Sequence, residues 1–233
     1  MADKPSYPQR PRLLDLFCGA GGAAMGYYQA GFDVVGVDIQ PQPNYPFQFI
    51  QWDVFDWLHE NGAPSIRLSF DAIHASPPCQ GYSDLANQNK RTYPKLIEPV
   101  RAMLRTTGLP YVIENVETAP LVDPIILCGT MFRGLRVLRH RKFESNLRLV
   151  APLHGHHPLV YTTDKRKGQY GKLDQDTAFV SVNGGGNCSV ANKRAAMGIG
   201  WPMTGHEANE AIPPAYTAWV GRQLMSASQK LAS

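Results

Sequence analysis

The stretch SPPCQGYS, residues 76–83, holds one cysteine between two prolines and a glycine. The prolines stiffen the backbone ahead of Cys79 and donate no backbone hydrogen bond. FDAIHA, just upstream, reads as a short buried strand. A thiol on a stiff turn at a strand end is either a small packed hydrophobe or a nucleophile on display, and most free cysteines are the former. Other residues with chemistry to offer stand at similar places. CGAGG (residues 18–22) follows the apolar RLLDLF, Asp38 ends DVVGVD, Asp53 follows QFIQW, and Glu114 and Asn115 close PYVIENV. In nucleotide-binding α/β folds a Gly-rich first turn lets the backbone approach a ligand, and an acid ending the second strand holds ribose hydroxyls. A nucleoside site is the expectation for this part of the chain.

The elements that must position these groups alternate. RLLDLF is a strand, CGAGG a turn, AAMGYYQAG a helix closed by Gly31, and DVVGVD a second strand. QFIQWDVFDWL carries a short strand and the start of a helix. KLIEPVRAMLRTTG has Leu96, Ile97, Val100, Met103 and Leu104 on one helical face, and PYVIENV is the next strand. Strands alternating with helices imply a mostly parallel sheet, whose ligands bind beyond the carboxyl ends of the strands. LCGTMFRGLRVLRHRKFESN reads as paired strands rich in arginine. The chain is polar from about residue 149 to 186, with a basic run DKRKGQYGK and a hinge-like VNGGGN. Helical patterning returns in ANKRAAMGIGWP and after NEAIPP. The expected division is 1–145 for the cofactor-binding and catalytic part, 146–187 for a small insert and 188–233 for helices returning to the first part.

The 233 residues suit one domain, or one domain with a small insert. A hydrophobic content of 43% and a charged content of 18% are ordinary for a soluble enzyme, and no apolar run reaches the length of a membrane span. The net charge of +4 is compatible with a polyanionic partner. The first twelve residues lack the apolar centre of a signal peptide and read as a lead-in. Cys18, Cys79, Cys128 and Cys188 stand far apart with no metal-ligand spacing, so a reducing cytoplasm and no disulfide set are expected. HGHH, residues 154–157, has neither cysteine nor carboxylate beside it at zinc-site spacing; it reads as a solvated loop, and no metal site is expected. Trp52 and Trp57 read as a core pair, with a base-stacking platform as the alternative.

Taken together, these motifs resemble the DNA cytosine C5-methyltransferases. DLFCGAGG resembles their motif I, VGVDI the acidic motif II, WDV the motif III acid, PPCQGYS the motif IV that carries the nucleophile, and ENV motif VI. LRHRKF resembles the Arg-x-Arg motif VIII, and ANKRAAMGIGWP and NEAIPPAY the looser motifs IX and X. The order is the family's. The resemblance implies a Rossmann-like, S-adenosylmethionine-dependent methyltransferase fold with a mostly parallel sheet flanked by helices and a small target-recognition insert. It implies Cys79 as the nucleophile at cytosine C6, Glu114 as the acid near N3, and Arg141, with Arg139 beside it, as the cation near O2. Each residue type suits covalent catalysis on a base that must leave the stack. Phe17, Gly19, Gly21, Gly22, Asp38, Ile39, Asp53, Val54 and Pro78 are the implied cofactor contacts. Double-stranded DNA with a flipped cytosine is the implied partner of a monomeric cytoplasmic enzyme.

Three departures qualify this. Val137 stands where the family has glutamine, Asn209-Glu210 replaces the usual Gly-Asn of motif X, and the recognition segment is short. RNA or a free cytosine nucleotide as substrate, a different group transferred from a modified sulfonium, and a non-catalytic nucleic-acid-binding relative are the competing readings. DKRKGQYGK reads as a solvated loop, with phosphate contact as the alternative.

Overall fold

A computed structural model describes residues 10–82, 93–161, 177–182 and 188–231. The chain opens with β1 (Arg12–Leu16), α1 (Gly22–Ala30), β2 (Asp33–Asp38), β3 (Gln48–Gln51) and α2 (Val54–Ser69). β4 (Ala72–Ala75), α3 (Ile97–Thr107), β5 (Tyr111–Asn115) and β6 (Ile125–Leu127) follow. Then come β7 (Val137–Leu138), β8 (Arg141–Ser145), β9 (Val160–Tyr161), β10 (Phe179–Ser181), α4 (Val190–Met197), α5 (Gly205–Glu210) and α6 (Pro214–Leu231). The local signals explain the boundaries. Gly31 adopts φ 114 and caps α1 through its N–H to the carbonyls of Tyr27 and Tyr28, a conformation open to glycine at little cost. Asp53 accepts from the N–H groups of Phe55 and Asp56 and starts α2.

Seven strands form one sheet in the order β3-β2-β1-β4-β5-β8-β6. β1 to β5 are parallel, and β8 runs antiparallel to both β5 and β6. The chain builds outward from β1 to β3, then returns to place β4 and β5 on the other side of β1. The crevice between β1 and β4 is therefore a topological switch point. A second sheet, β7-β10-β9, draws its first strand from residues ahead of 146 and the other two from the insert. The arginine-rich stretch 127–146 does not pair with itself as expected: its two strands, β7 and β8, join different sheets, and β8 pairs instead with β5 and with β6, which ends at Leu127.

Both faces of the parallel sheet are buried, as such sheets require. Leu13, Val34, Ala72 and Val112 pack with the residues of α1 and α6, while Leu14, Leu16, Val35, Val37, Ile73 and Ile113 pack with those of α2 and α3. The C-terminal helix lies close against the first one. A Cβ added at Gly26 would stand 2.0 Å from Thr217 Oγ1, and one at Gly221 would stand 2.7 Å from Ala30 Cβ. Thr217 Oγ1 also donates to the Ala23 carbonyl at 2.8 Å. Trp57 is core, packed against Phe70, whereas Trp52 is 48% exposed, so the expected pair is split.

Buried ionisable groups lie within this sheet. Asp15 and His74 are register partners on β1 and β4, and both are fully shielded. The Tyr27 hydroxyl lies 2.9 Å from His74 Nδ1, and His74 Nε2 lies 2.8 Å from Ser76 Oγ. Burial pushes the His74 pKa down to about 3. Burial also raises that of Asp15, against a hydrogen bond from Tyr45.

Two outcomes are expected. Gly26→Ala gains about 1 kcal/mol of helix propensity, yet overpacking at this crossing should leave the protein about 1–3 kcal/mol less stable by urea unfolding; an unchanged midpoint would refute the close approach. His74 stays neutral in the folded protein down to about 3, whereas the unfolded chain binds the proton near 6.5. Stability from neutral His74 is thus complete above about 6.5 and is lost as pH falls toward 3. His74→Gln should therefore lose less stability on acidification than the parent, and parallel pH profiles would contradict this.

Candidate active site at the β1–β4 crossover

A cavity of about 700 Å³ opens at the carboxyl ends of β1, β2, β4 and β5. Of the expected site residues, Phe17, Gly19, Gly22, Asp38, Ile39, Asp53, Pro78, Cys79, Glu114, Arg139 and Arg141 all line it. Gly21 and Val54 do not. Gly21 adopts φ 83 and lies against the Tyr45–Pro46 loop, where a Cβ would meet Pro46 at 2.7 Å. Val54 is buried in the core at the start of α2.

The Gly-rich turn forms one wall. Gly19 has φ 47 with open space where a Cβ would be, and its N–H donates to Asp38 Oδ2 at 3.0 Å. Gln40 N–H donates to Asp38 Oδ1 at 2.9 Å. Each carboxylate oxygen thus keeps capacity for another donor. Among the described residues, both hydrogen bonds to Asp53 go to Oδ1, leaving Oδ2 for the cavity. Phe17 reaches the wall from a left-handed backbone, φ 57, and meets Phe55 edge-on at 6.4 Å between ring centroids.

The opposite wall carries the thiol. Asn115 Nδ2 donates to the Pro77 carbonyl at 2.8 Å, which ties the proline turn to the end of β5. Glu114, one residue before, is 4% exposed. Its Oε1 lies 3.1 Å from Arg141 Nε, but out of line for a hydrogen bond. Burial raises the Glu114 pKa, opposed by Arg141 and by a hydrogen bond with Ser76. Arg139 differs from Arg141. Its two Nη atoms donate to the Val182 and Asn209 carbonyls, each at 2.7 Å, so it fastens the end of β10 to α5. Burial lowers its pKa to about 9. Glu210, where the family's motif differs, also faces the cavity.

Several contributors went unnoticed in the sequence. Ser76 and His74 link the buried Tyr27 to Glu114. Trp201 Nε1 holds the Ala20 carbonyl at 2.9 Å from 181 residues away. HGHH is an exposed loop, as expected, but it has partners far along the chain: His154 meets His140, 14 residues away, and His157 meets Cys128, 29 residues away. Linear spacing could not reveal partners brought in by β6 and β8. The basic run DKRKGQYGK lies outside the described residues, as does most of VNGGGN.

The surroundings of Cys79 do not supply the thiolate character expected of it. Burial raises its pKa, Arg141 opposes this, and Glu114 and Glu210 add to it. Alkylation of Cys79 by iodoacetamide, followed by peptide mass spectrometry across pH, should show a midpoint above the ordinary thiol value, and Arg141→Leu should move it higher. A midpoint at or below that value would contradict the dominance of burial over the Arg141 charge.

Residues 12–119 match the family described as C-5 cytosine-specific DNA methylase. Type II methyltransferase M1.HphI of Haemophilus parahaemolyticus is 34% identical over 118 residues, 44% of this chain and 32% of that protein. Type II methyltransferase M.XorII of Xanthomonas oryzae pv. oryzae is 31% identical over 153 residues, 58% of this chain and 31% of that one. The matched region therefore spans about a third of the length of these two curated relatives. Among solved structures, a DNA modification methyltransferase encoded within an E. coli prophage superposes with a TM-score of 0.61 at 15% identity, covering 93% of this chain and 99% of that one. The S. pombe Dnmt2 methyltransferase gives 0.56 at 12% identity, covering 94% and 99%. The chain shares the α/β fold of these methyltransferases, and its residues 12–119 match the C-5 cytosine-specific DNA methylase family.

Proposed function

We propose that this protein transfers a methyl group from S-adenosylmethionine to C5 of cytosine in DNA, through a transient bond between Cys79 and C6. The observation that carries this reading is the shared cavity: Cys79, Glu114 and Arg141 form one wall, and the Gly-rich turn with Asp38 and Asp53 forms the other. The second wall fits the cofactor. Gly19 leaves open space, Asp38 retains acceptor capacity for ribose hydroxyls and Asp53 Oδ2 for the adenine amino group, with Phe17 and Ile39 beside them. When bound, S-adenosylmethionine supplies an electrophilic methyl group.

The chain's own residues do the rest. Cys79 Sγ, as thiolate, adds to C6 of the extruded base, and the ring electron pair moves toward C5. Because the free-state pKa of Cys79 is raised, its proton must leave as the base binds. Glu114, held toward its acid form by burial, shares a proton with N3 as charge develops on the ring. Arg141 stands as a fixed cation for O2. Arg139 serves the wall by holding the Val182 and Asn209 carbonyls. After methylation C5 loses its proton to water, and the returning electron pair expels Cys79. Residues 1–145 bind the cofactor and carry the chemistry, 146–187 meet the DNA, and 188–233 return to the first part, in a single chain acting in the cytoplasm. No helix among the described residues is long and apolar enough to cross a membrane. The small insert reads only a short site in the major groove.

The test is a trap. Duplex DNA carrying 5-fluorocytosine, incubated with the protein and S-adenosylmethionine, should give a denaturant-resistant adduct on Cys79, because fluorine at C5 blocks elimination. Cys79→Ser should form none while keeping cofactor binding by calorimetry. If cofactor binds but no adduct forms on DNA, the DNA substrate is wrong, and the same trap on RNA becomes decisive; an adduct on another residue removes Cys79 from the mechanism.

A further inference from the structure

Away from the cavity, a second cluster of side chains converges on one point. Cys128 Sγ lies 3.7 Å from His157 Nε2. His157 Nε2 lies 3.1 Å from His154 Nε2, which lies 3.3 Å from His140 Nε2. All four donor atoms fall within 4.8 Å of one another. Cys128 is buried and follows β6, His140 sits between β7 and β8, and His154 and His157 are exposed on the segment before β9. His154 and His157 share one short motif, but Cys128 and His140 reach them from other elements, so the convergence is a product of the fold.

Hydrogen bonding alone serves this arrangement poorly. A neutral imidazole nitrogen offers one proton or one lone pair. Yet His154 Nε2 faces both His140 and His157, and His157 Nε2 faces both His154 and Cys128. A tetrahedral zinc ion with Zn–N near 2.05 Å and Zn–S near 2.3 Å would separate its ligands by about 3.3 Å between nitrogens and about 3.6 Å between nitrogen and sulfur. The three close distances lie near those values, and the remaining pairs, within 4.8 Å, must draw in by up to about an ångström or more to complete the shell.

The surroundings suit a metal as well. With Nε2 of His140 turned into the cluster, its Nδ1 faces Glu117 Oε2 at 3.7 Å. A carboxylate behind a ligating histidine fixes the tautomer and strengthens the donor. The Thr130 hydroxyl donates to Cys128 Sγ at 3.4 Å, a contact that stabilises a thiolate.

We propose that Cys128, His140, His154 and His157 form a structural site for a zinc-class divalent cation. Four protein ligands close the coordination shell, which marks the site as structural; a catalytic zinc keeps one position open. One thiolate with three imidazoles favours zinc or cobalt over magnesium or calcium. The ion joins the loop after β6, the Arg139–Arg141 turn and the entry to the insert. It thereby fixes the backbone that presents Arg141 to the cavity and anchors the insert at its first strand.

The test uses the untagged full chain. After addition of zinc sulfate and gel filtration, elemental analysis should find about one zinc per chain. Cobalt(II) in its place should give a thiolate-to-cobalt charge-transfer band in the near ultraviolet and the strong visible absorption of a tetrahedral site. Cys128→Ser should abolish the charge-transfer band. The exposed pair His154→Ala/His157→Ala should weaken zinc binding at least about 100-fold in competition with a chromophoric chelator, with an unchanged far-ultraviolet dichroism spectrum. Failure of the parent protein to retain zinc overturns the proposal. So does a charge-transfer band that survives Cys128→Ser, which would put the metal on another cysteine. So does undiminished affinity in the double histidine variant.

Discussion

A carboxyl group shut away from water at the end of a sheet needs either a proton or a cation, and Glu114 has a claim on both. Burial favours the proton, while Arg141, 3.1 Å away, favours the charge. That tension constrains the surrounding structure. β8 must run antiparallel beside β5 so that Arg141, at its start, comes level with the end of the strand carrying Glu114. β8 is anchored in turn by Glu144, which takes a two-point contact from the buried Arg101 of α3 at 2.6 and 2.7 Å. A paired, doubly hydrogen-bonded guanidinium is a geometrically exacting tie. It fixes the direction of the strand whose first residue faces the cavity.

The same crossover that opens the cavity also dictates where the thiol stands. β4 returns beside β1, so the turn after β4 faces the turn after β1. Two prolines and the Asn115 amide hold the first, and Asp38 and the Trp201 indole hold the second. The close packing of α6 on α1, possible because Gly26 and Gly221 carry no side chain, brings the segment 209–212 over the Gly-rich turn. The end of the chain therefore completes a wall begun at its start.

Electrostatically the cleft is balanced rather than strongly positive. Arg141 pulls the Cys79 thiol toward ionisation, while burial, Glu114 and Glu210 hold it back. The proposed nucleophile is thus kept in reserve in the free protein, a sensible state for a reactive thiol with a partly open pocket. Behind Glu114, the chain of Ser76, His74 and Tyr27 carries hydrogen bonding into the core. That ordering keeps the end of β4 in a defined position against the end of β5.

Much of this was legible in the residues themselves. Local signals, such as Gly31 for a helix end, Asp53 for a helix start and the apolar runs of β1, β2 and β5, act within a few residues and survive translation into structure unchanged. The motif order likewise pointed to Cys79 and Glu114 at the rim of the cavity, because a parallel sheet brings strand ends to one edge, whereas Arg141 reaches it from the start of the antiparallel β8. What the linear chain did not display were pairings made across it. These include the separation of Arg139 from Arg141 in partner, the split of Trp52 from Trp57, and the retreat of Gly21 and Val54 behind the wall. The meeting of Cys128 with three histidines is of the same kind. Each depends on which face of a strand or turn a side chain leaves by and what another element delivers there. Propensity and spacing determined the elements and the residue types at their ends; only the sheet's crossover and its antiparallel addition decided which of those residues meet.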